Sequence, residues 1–176
     1  MKIKWLGHAC FLLTSKEGVK VLTDPFDDSV GYKIPAIEAD IVTTSHDHFD
    51  HNTVAVVKGD FIHINQAGSF EEKGIKITGV STFHDEAGGS KRGKNIIYIF
   101  EMDGLRICHC GDLGHVLDSK QIAEIGEIDL LLVPVGGVYT INAAQAYEVV
   151  KSLNPAITIP MHFKTEALDF AIVGVE

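Results

Sequence analysis

Three imidazoles and two carboxylates stand within six consecutive positions, His46-Asp47-His48-Phe49-Asp50-His51. In an extended segment, residues two apart project to the same side, so His46 and His48 can grip one ion at about 2.0–2.1 Å. Asp50 and His51 fall where the chain turns away, which gives them a different direction and suits a second ion. Neutral imidazole and carboxylate are donors that zinc, manganese and iron all accept. A lone H-x-H is more often a solvated loop. This cluster instead closes the apolar run Asp40-Ile41-Val42-Thr43-Thr44, and a fold rarely gathers so many desolvated polar groups without a partner.

The elements that must carry these groups alternate between period two and period 3.6. Strand-like runs cover Ile3–Leu6, Ala9–Thr14, Val19–Thr23, Ile41–Thr44, Phe61–Ile64, Ile75–Phe83, Ile96–Glu101, Leu105–Cys108, Leu130–Val133 and Ile157–Ile159. Met102-Asp103-Gly104 predicts a tight hairpin, because Asp-Gly tolerates positive φ. Helices are expected over Thr53–Lys58, Val116–Ile125 and Asn142–Leu153. The last has Asn142 and Gln145 at the spacing of a capping box and Asn154-Pro155 as its stop. No Pro-, Gly- or Ser-rich linker divides the chain, so one domain over residues 1–176 is expected.

Several strands end in residues of the same chemical kind, and here the sequence resembles the metallo-β-lactamase superfamily. The H-x-H-x-D-H segment resembles its signature. Trp5-Leu6-Gly7-His8-Ala9 and Thr23-Asp24-Pro25-Phe26 resemble the opening strands of its lactonase-like and phospholipase-D-like branches. Cys110-Gly111-Asp112-Leu113-Gly114 resembles its Gly-Asp element, and Pro134-Val135-Gly136-Gly137 and Ile159-Pro160-Met161-His162 its closing motifs. The resemblance implies an α/β fold, a four-layer αββα sandwich with two mixed β-sheets, with or without its last helix. It implies a first ion on His46, His48 and His84, a second on Asp50, His51 and His162, and Asp112 bridging the two.

That ligand set implies metal-assisted hydrolysis, with two divalent ions, zinc foremost and manganese or iron as alternatives. Two such ions carry +4 against −2 from Asp50 and Asp112, the expected catalytic carboxylates, and this favours an anionic substrate or a developing oxyanion. A small ester, lactone or phosphodiester is expected. The alternative is a dinuclear metal protein with a redox or binding role. His48 argues against redox, since that branch typically carries glutamate there. Substrate contacts are expected from His8, Lys91, Arg92 and Tyr139. Lys91 and Arg92 lie in the Gly-rich stretch Asp85–Asn95, which reads equally as a mobile lid or a solvated loop. His109 is read as a partner near Asp112 or a structural histidine, and His63 as pointing away from the core.

Composition narrows the class further. The 176 residues carry 15 Lys plus Arg against 24 Asp plus Glu, a net charge of −9, which disfavours nucleic acid as partner. No apolar run approaches the roughly 18 residues of a membrane span. The first residues read as a strand rather than a signal peptide. Cys10, Cys108 and Cys110 read as buried thiols of a reducing, cytoplasmic compartment. Relatives usually continue into a further helix beyond the point where this sequence stops, so an apolar face left uncovered there would suit a homo-oligomer.

Overall fold

The computed structural model describes residues 1–168 and 171–175. Two sheets are built from consecutive stretches of chain. The first contains β1 (Lys2–Gly7), β2 (Cys10–Thr14), β3 (Lys20–Thr23), β5 (Ile41–Thr43) and β7 (Ile62–Ile64), in the spatial order β1-β2-β3-β5-β7. The second contains β8 (Gly68–Glu72), β9 (Ile75–Phe83), β10 (Lys94–Met102), β11 (Leu105–His109), β12 (Leu130–Pro134) and β13 (Ile157–Met161), in the order β13-β12-β11-β10-β9-β8. A small parallel pair, β4 (Ile37–Glu38) with β6 (Val57–Lys58), stands apart. This is the two-sheet α/β architecture that the sequence implies.

Strand direction decides where the chemistry collects. In the first sheet β1 and β3 are each antiparallel to β2, and β3, β5 and β7 are parallel. Hence β1, β3, β5 and β7 all run the same way. In the second sheet β9 and β11 are each antiparallel to β10, and β11, β12 and β13 are parallel. Hence β9, β11, β12 and β13 also share one direction. The C-terminal ends of these strands lead into His8, Asp24, Ser45 to His51, His84, Asp112 and His162.

The main core lies between the sheets and continues beneath the helices. Phe11, Leu13, Val21 and Ile41 of the first sheet join Ile77, Ile97, Ile99 and Ile107 of the second, all at most 1% exposed. The helices α1 (Ser119–Ile125) and α2 (Ala143–Leu153) cover the second sheet through Ile125, Ala146, Val149 and Leu153. Every residue of β12 is buried, as expected for a parallel strand covered on both faces. The outer face of the first sheet, with Cys10, Leu22 and Val42, has no α-helix over it among the described residues. Phe26, Val30, Ile37, Val57, Leu168 and Ile172 cover it instead.

Two local expectations change, and one strand appears that was not expected. Thr53–Lys58 is a 3₁₀ turn at Val54–Val56 followed by β6, not a helix. Thr53 supplies no side-chain cap, its hydroxyl donating to the Phe49 carbonyl instead, and three valines favour extended backbone. The helix expected from Val116 starts at Ser119, because Asp118 and Gln121 form a capping box there. The polar segment Gly68–Glu72 is an edge strand against β9, a place where charged side chains are tolerated and useful. Elsewhere the local chemistry holds. Asn142 and Gln145 cap α2 reciprocally, Asp103 and Gly104 both take positive φ in the hairpin, and all three cysteines are buried and free.

Candidate metal centre

Three loops of the second sheet and two segments of the first, the β1–β2 turn and the long loop after β5, converge above the strand ends. His46, His48 and His84 form one group whose donor atoms all lie within 4.8 Å of one another, and His8, Asp50, His51 and His162 form another. Asp112 stands between them. Its Oδ2 is 3.2 Å from His84 Nε2 and 3.2 Å from His162 Nε2, and its Oδ1 is 3.2 Å from His51 Nε2. Two donors bound tetrahedrally to one ion at about 2.0–2.1 Å stand about 3.3 Å apart. His46 Nε2 and His48 Nδ1, 3.0 Å apart, also fit that spacing.

The donor set fits a pair of divalent ions on one further observation. His51 Nε2 and Asp112 Oδ1 are buried and face each other, yet neither is aligned in a hydrogen bond. Buried polar atoms in such numbers are normally paired, and a cation between them satisfies both. The imidazoles are prepared for it. Burial, reinforced by the neighbouring His51, pushes His46 down to about 3. Burial, reinforced by His162, pushes His8 down to about 4, and His48 is lowered by burial and by His84. All three are neutral near pH 7, with a lone pair to give. The carboxylates are ionised. Asp50 is held at about 2, its burial outweighed by the His8 hydrogen bond and by His51. Asp112 is held well below its usual value, its burial outweighed by His162 and His51. His51 goes the other way: burial opposes its protonation, but Asp112 and Asp24 raise it well above the usual range. An ion taking this position therefore displaces a proton from His51.

Asp24, at the end of β3, orients one histidine of each donor group. It is fully buried and accepts from Ser45 N (2.8 Å), Ser45 Oγ (2.6 Å) and His51 Nδ1 (2.8 Å). Ser45 Oγ in turn lies 3.0 Å from His46 Nδ1. With Nδ1 of both imidazoles engaged, Nε2 is the atom left free to face an ion, an arrangement common behind metal-bound histidine. The sequence offered a sign of this in a carboxylate closing the apolar run Lys20–Thr23, but no role was read from it.

Asn95 does the same for Asp112. Its Oδ1 accepts from Asp112 N at 2.9 Å, while its Nδ2 donates to Thr82 Oγ1 and to the Cys110 carbonyl. The close fit explains the glycine before Asp112. A Cβ on Gly111, which has φ +53°, would stand 2.4 Å from both Asn95 Oδ1 and Ser45 Cβ. His109 is a bracing residue: its Nε2 donates to the Ala9 carbonyl at 2.7 Å and its Nδ1 accepts from Gly111 N. His115 is similarly used up between Val116 O and Phe83 N. His63 is exposed and bonds Thr44, away from the cluster.

The residues expected to touch substrate separate into two sets. Arg92 and Tyr139 line a cleft of about 480 Å³ together with Phe49, His84, Asp112 and His162. The Arg92 guanidinium lies over the Tyr139 ring at 5.5 Å and donates to the Val138 carbonyl at 3.1 Å. Lys91 is not among the lining residues; it pairs with Glu86 on the surface. His8 is fully buried behind Asp50 and His162, out of reach of substrate. Nor is the Asp85–Asn95 stretch a free lid. The Asp85 carboxylate accepts from the backbone N–H of Ala87, Gly89, Lys91 and Arg92, at 2.7–3.0 Å, and winds the loop around itself. Lys94 and Asn95 already belong to β10.

The family model for the beta-lactamase superfamily domain matches residues 2–162. The chain belongs to the metallo-β-lactamase superfamily. A UPF0173 metal-dependent hydrolase of Thermoplasma acidophilum is 35% identical, over 94% of this chain and 84% of its own. Another from Archaeoglobus fulgidus is 32% identical, with the same coverage of both chains. A crystal structure from Thermotoga maritima, described as a candidate zinc-dependent hydrolase of this superfamily, superposes with a TM-score of 0.83 at 49% identity, covering 98% of this chain and 81% of that one. Among the described residues, no helix is long and apolar enough to cross a membrane.

Proposed function

We propose that this protein is a metal-dependent hydrolase with a two-ion centre, acting on a small anionic ester, lactone or phosphodiester. The reading rests on one observation above the rest: a single oxygen, Asp112 Oδ2, stands 3.2 Å from a histidine of each donor group. Such an oxygen suits a bridge between two ions. Zinc is the first choice, and manganese and iron suit the same donors. Bound there, a pair of divalent ions supplies a hydroxide near neutral pH and Lewis acidity toward the scissile oxygen.

The chain's own residues do the rest. Asp112 and Asp50 stay ionised and fix the spacing of the centre, and Asp50 offers a carboxylate at the floor of the cleft as acceptor for a water proton. Arg92, half-buried and held against Tyr139, presents positive charge beside the cluster. A second cleft of about 650 Å³ shares Asp47, His48 and Arg92 with the first and is walled by Asn65, Gln66 and Lys94. Phe49 and Tyr139 make the first cleft the more apolar at its mouth, and they stand 60% and 39% exposed. The arrangement suits a substrate with an apolar group on one side of the scissile bond and a polar, anionic group on the other. The test is metal content by mass spectrometry alongside turnover of p-nitrophenyl esters, lactones and bis(p-nitrophenyl) phosphate. Turnover that is lost on chelation and restored by added ion supports the proposal. Two bound ions with no hydrolysis of any of these classes refutes it in favour of a redox or binding role.

A further inference from the structure

The superfamily resemblance accounts for seven metal ligands, and the substrate contact expected of His8 does not fit a side chain enclosed behind Asp50. His8 follows β1 in a turn that the structure builds with care. Gly7, at φ +113°, is a position where a Cβ would meet the Tyr32 ring at 2.5 Å. His8 itself takes φ +51°, left-handed backbone that few residues other than glycine adopt. Asp24 and His162, two further residues that follow strand ends at this centre, take φ +42° and +51°. The His8 carbonyl accepts from Trp5 Nε1 at 3.0 Å and from His162 N at 3.3 Å, so the first and last strands of the two sheets are tied at this point. The turn aims a fully buried imidazole at the second donor group. Its Nε2 is 3.2 Å from Asp50 Oδ2, and the ring centroid is 4.1 Å from that of His162 and 4.9 Å from that of His51.

Asp50 Oδ2 is also the oxygen that approaches His51 Nε2, at 3.6 Å, and so faces the second ion position. A histidine serving only to orient Asp50 would be expected on the carboxylate oxygen facing away from the ion. His8 instead approaches the inner one, at the separation of two donors sharing one ion. The geometry points to His8 as a further ligand of the second ion, bound through Nε2. This rests on the two-ion reading above. The second position then draws on His8, Asp50, His51 and His162 with Asp112, one donor more than a tetrahedral zinc site uses. A five-donor position suits manganese or iron at least as well as zinc.

The test compares chelator-stripped wild type with His8→Gln and His8→Asn, each titrated with Zn²⁺ and with Mn²⁺ in a calorimeter. Glutamine places an amide N–H near where Nε2 stands, so it restores a bond to Asp50 but not an imidazole ligand. Asparagine suits the left-handed backbone and guards against a folding artefact, which melting of the metal-free proteins monitors. Losing an orienting partner typically costs 10–100-fold in metal affinity. Both variants are expected to keep the first ion and to bind the second more weakly by over about 100-fold. Anomalous scattering from manganese-loaded wild-type crystals, which needs no variant to fold, is expected to place the second ion within about 2.2 Å of His8 Nε2. A glutamine variant that holds both ions within a few-fold of wild type, or an ion beyond 3 Å from His8, overturns the assignment of His8 alone. Wild type that takes up no ion overturns it together with the two-ion reading.

Discussion

Replacing Asp24 by asparagine changes almost no volume and removes one charge, yet it should weaken the centre. The wild-type carboxylate accepts three hydrogen bonds, from Ser45 N on Oδ1 and from Ser45 Oγ and His51 Nδ1 on Oδ2. Asparagine has only one oxygen to offer. If its nitrogen takes the Oδ2 position, it faces His51 Nδ1 donor to donor. The imidazole escapes only by moving its proton to Nε2, which blocks the atom that faces Asp112. If its nitrogen takes the Oδ1 position, it faces the Ser45 N–H instead. Either way one buried donor is left unpaired, at a cost of about 1–3 kcal/mol. At 1.4 kcal/mol per factor of ten, that is about 5- to 150-fold in the affinity of the second ion, or an equal loss of metal-free stability. Calorimetric metal titration and denaturant unfolding in chelator read the two quantities. The first ion should suffer less, since Asp24 reaches His46 only through Ser45. An Asp24→Asn protein that matches wild type in both measurements refutes the orienting role.

Four other substitutions test the rest of the centre. His48→Ala and Asp112→Ala should each lose bound metal and hydrolysis together, and full occupancy by mass spectrometry in both would contradict the ligand assignment. Arg92→Met should raise KM for anionic esters by about tenfold, the scale of one charge-assisted hydrogen bond, while leaving neutral esters within twofold; equal effects on both would remove Arg92 from anion recognition. Asp85→Ala should speed amide exchange at Ala87, Gly89, Lys91 and Arg92 and raise the same KM by unfixing Arg92. Against the opposing effect of desolvation, those four backbone bonds hold the Asp85 carboxyl at about 2, below its ordinary value. The loop is therefore fully braced above the ordinary carboxylate range and loses that support as pH falls toward 2. Exchange rates unchanged by the substitution would show that the loop is held by something else.

Much of this was legible in residue spacing, and the failures have physical causes. His46 through His51 announce themselves because five titratable groups follow one apolar strand, and β12 and α2 because burial pattern and caps agree locally. The convergence of His84, Asp112 and His162 was carried by resemblance, since nothing local to each reveals that four strands end on one rim. Thr53–Lys58 misled because a polar, cap-like entry was followed by three valines, the last of which, Val57, pairs with Ile37, a partner twenty positions away. Asp85 was missed because its partners are backbone amides, which side-chain identity does not record. The placement of Lys91 and His8 was equally out of reach: one turns to Glu86 and the other is enclosed behind Asp50, and both outcomes depend on the path of a turn.

Each sheet uses its own stretch of chain, residues 2–64 for one and 68–161 for the other. Each donor group takes histidines from both: His46 and His48 with His84, and His51 with His162. Ions bound as proposed would rivet the N-terminal half of the polypeptide to the C-terminal half. Because they bind the assembled rim and not the open chain, they add to resistance against unfolding in proportion to their free concentration. The lifetime of the folded molecule under proteolysis should follow the metal supply around it, so that starvation for the ion removes the protein as well as idling it.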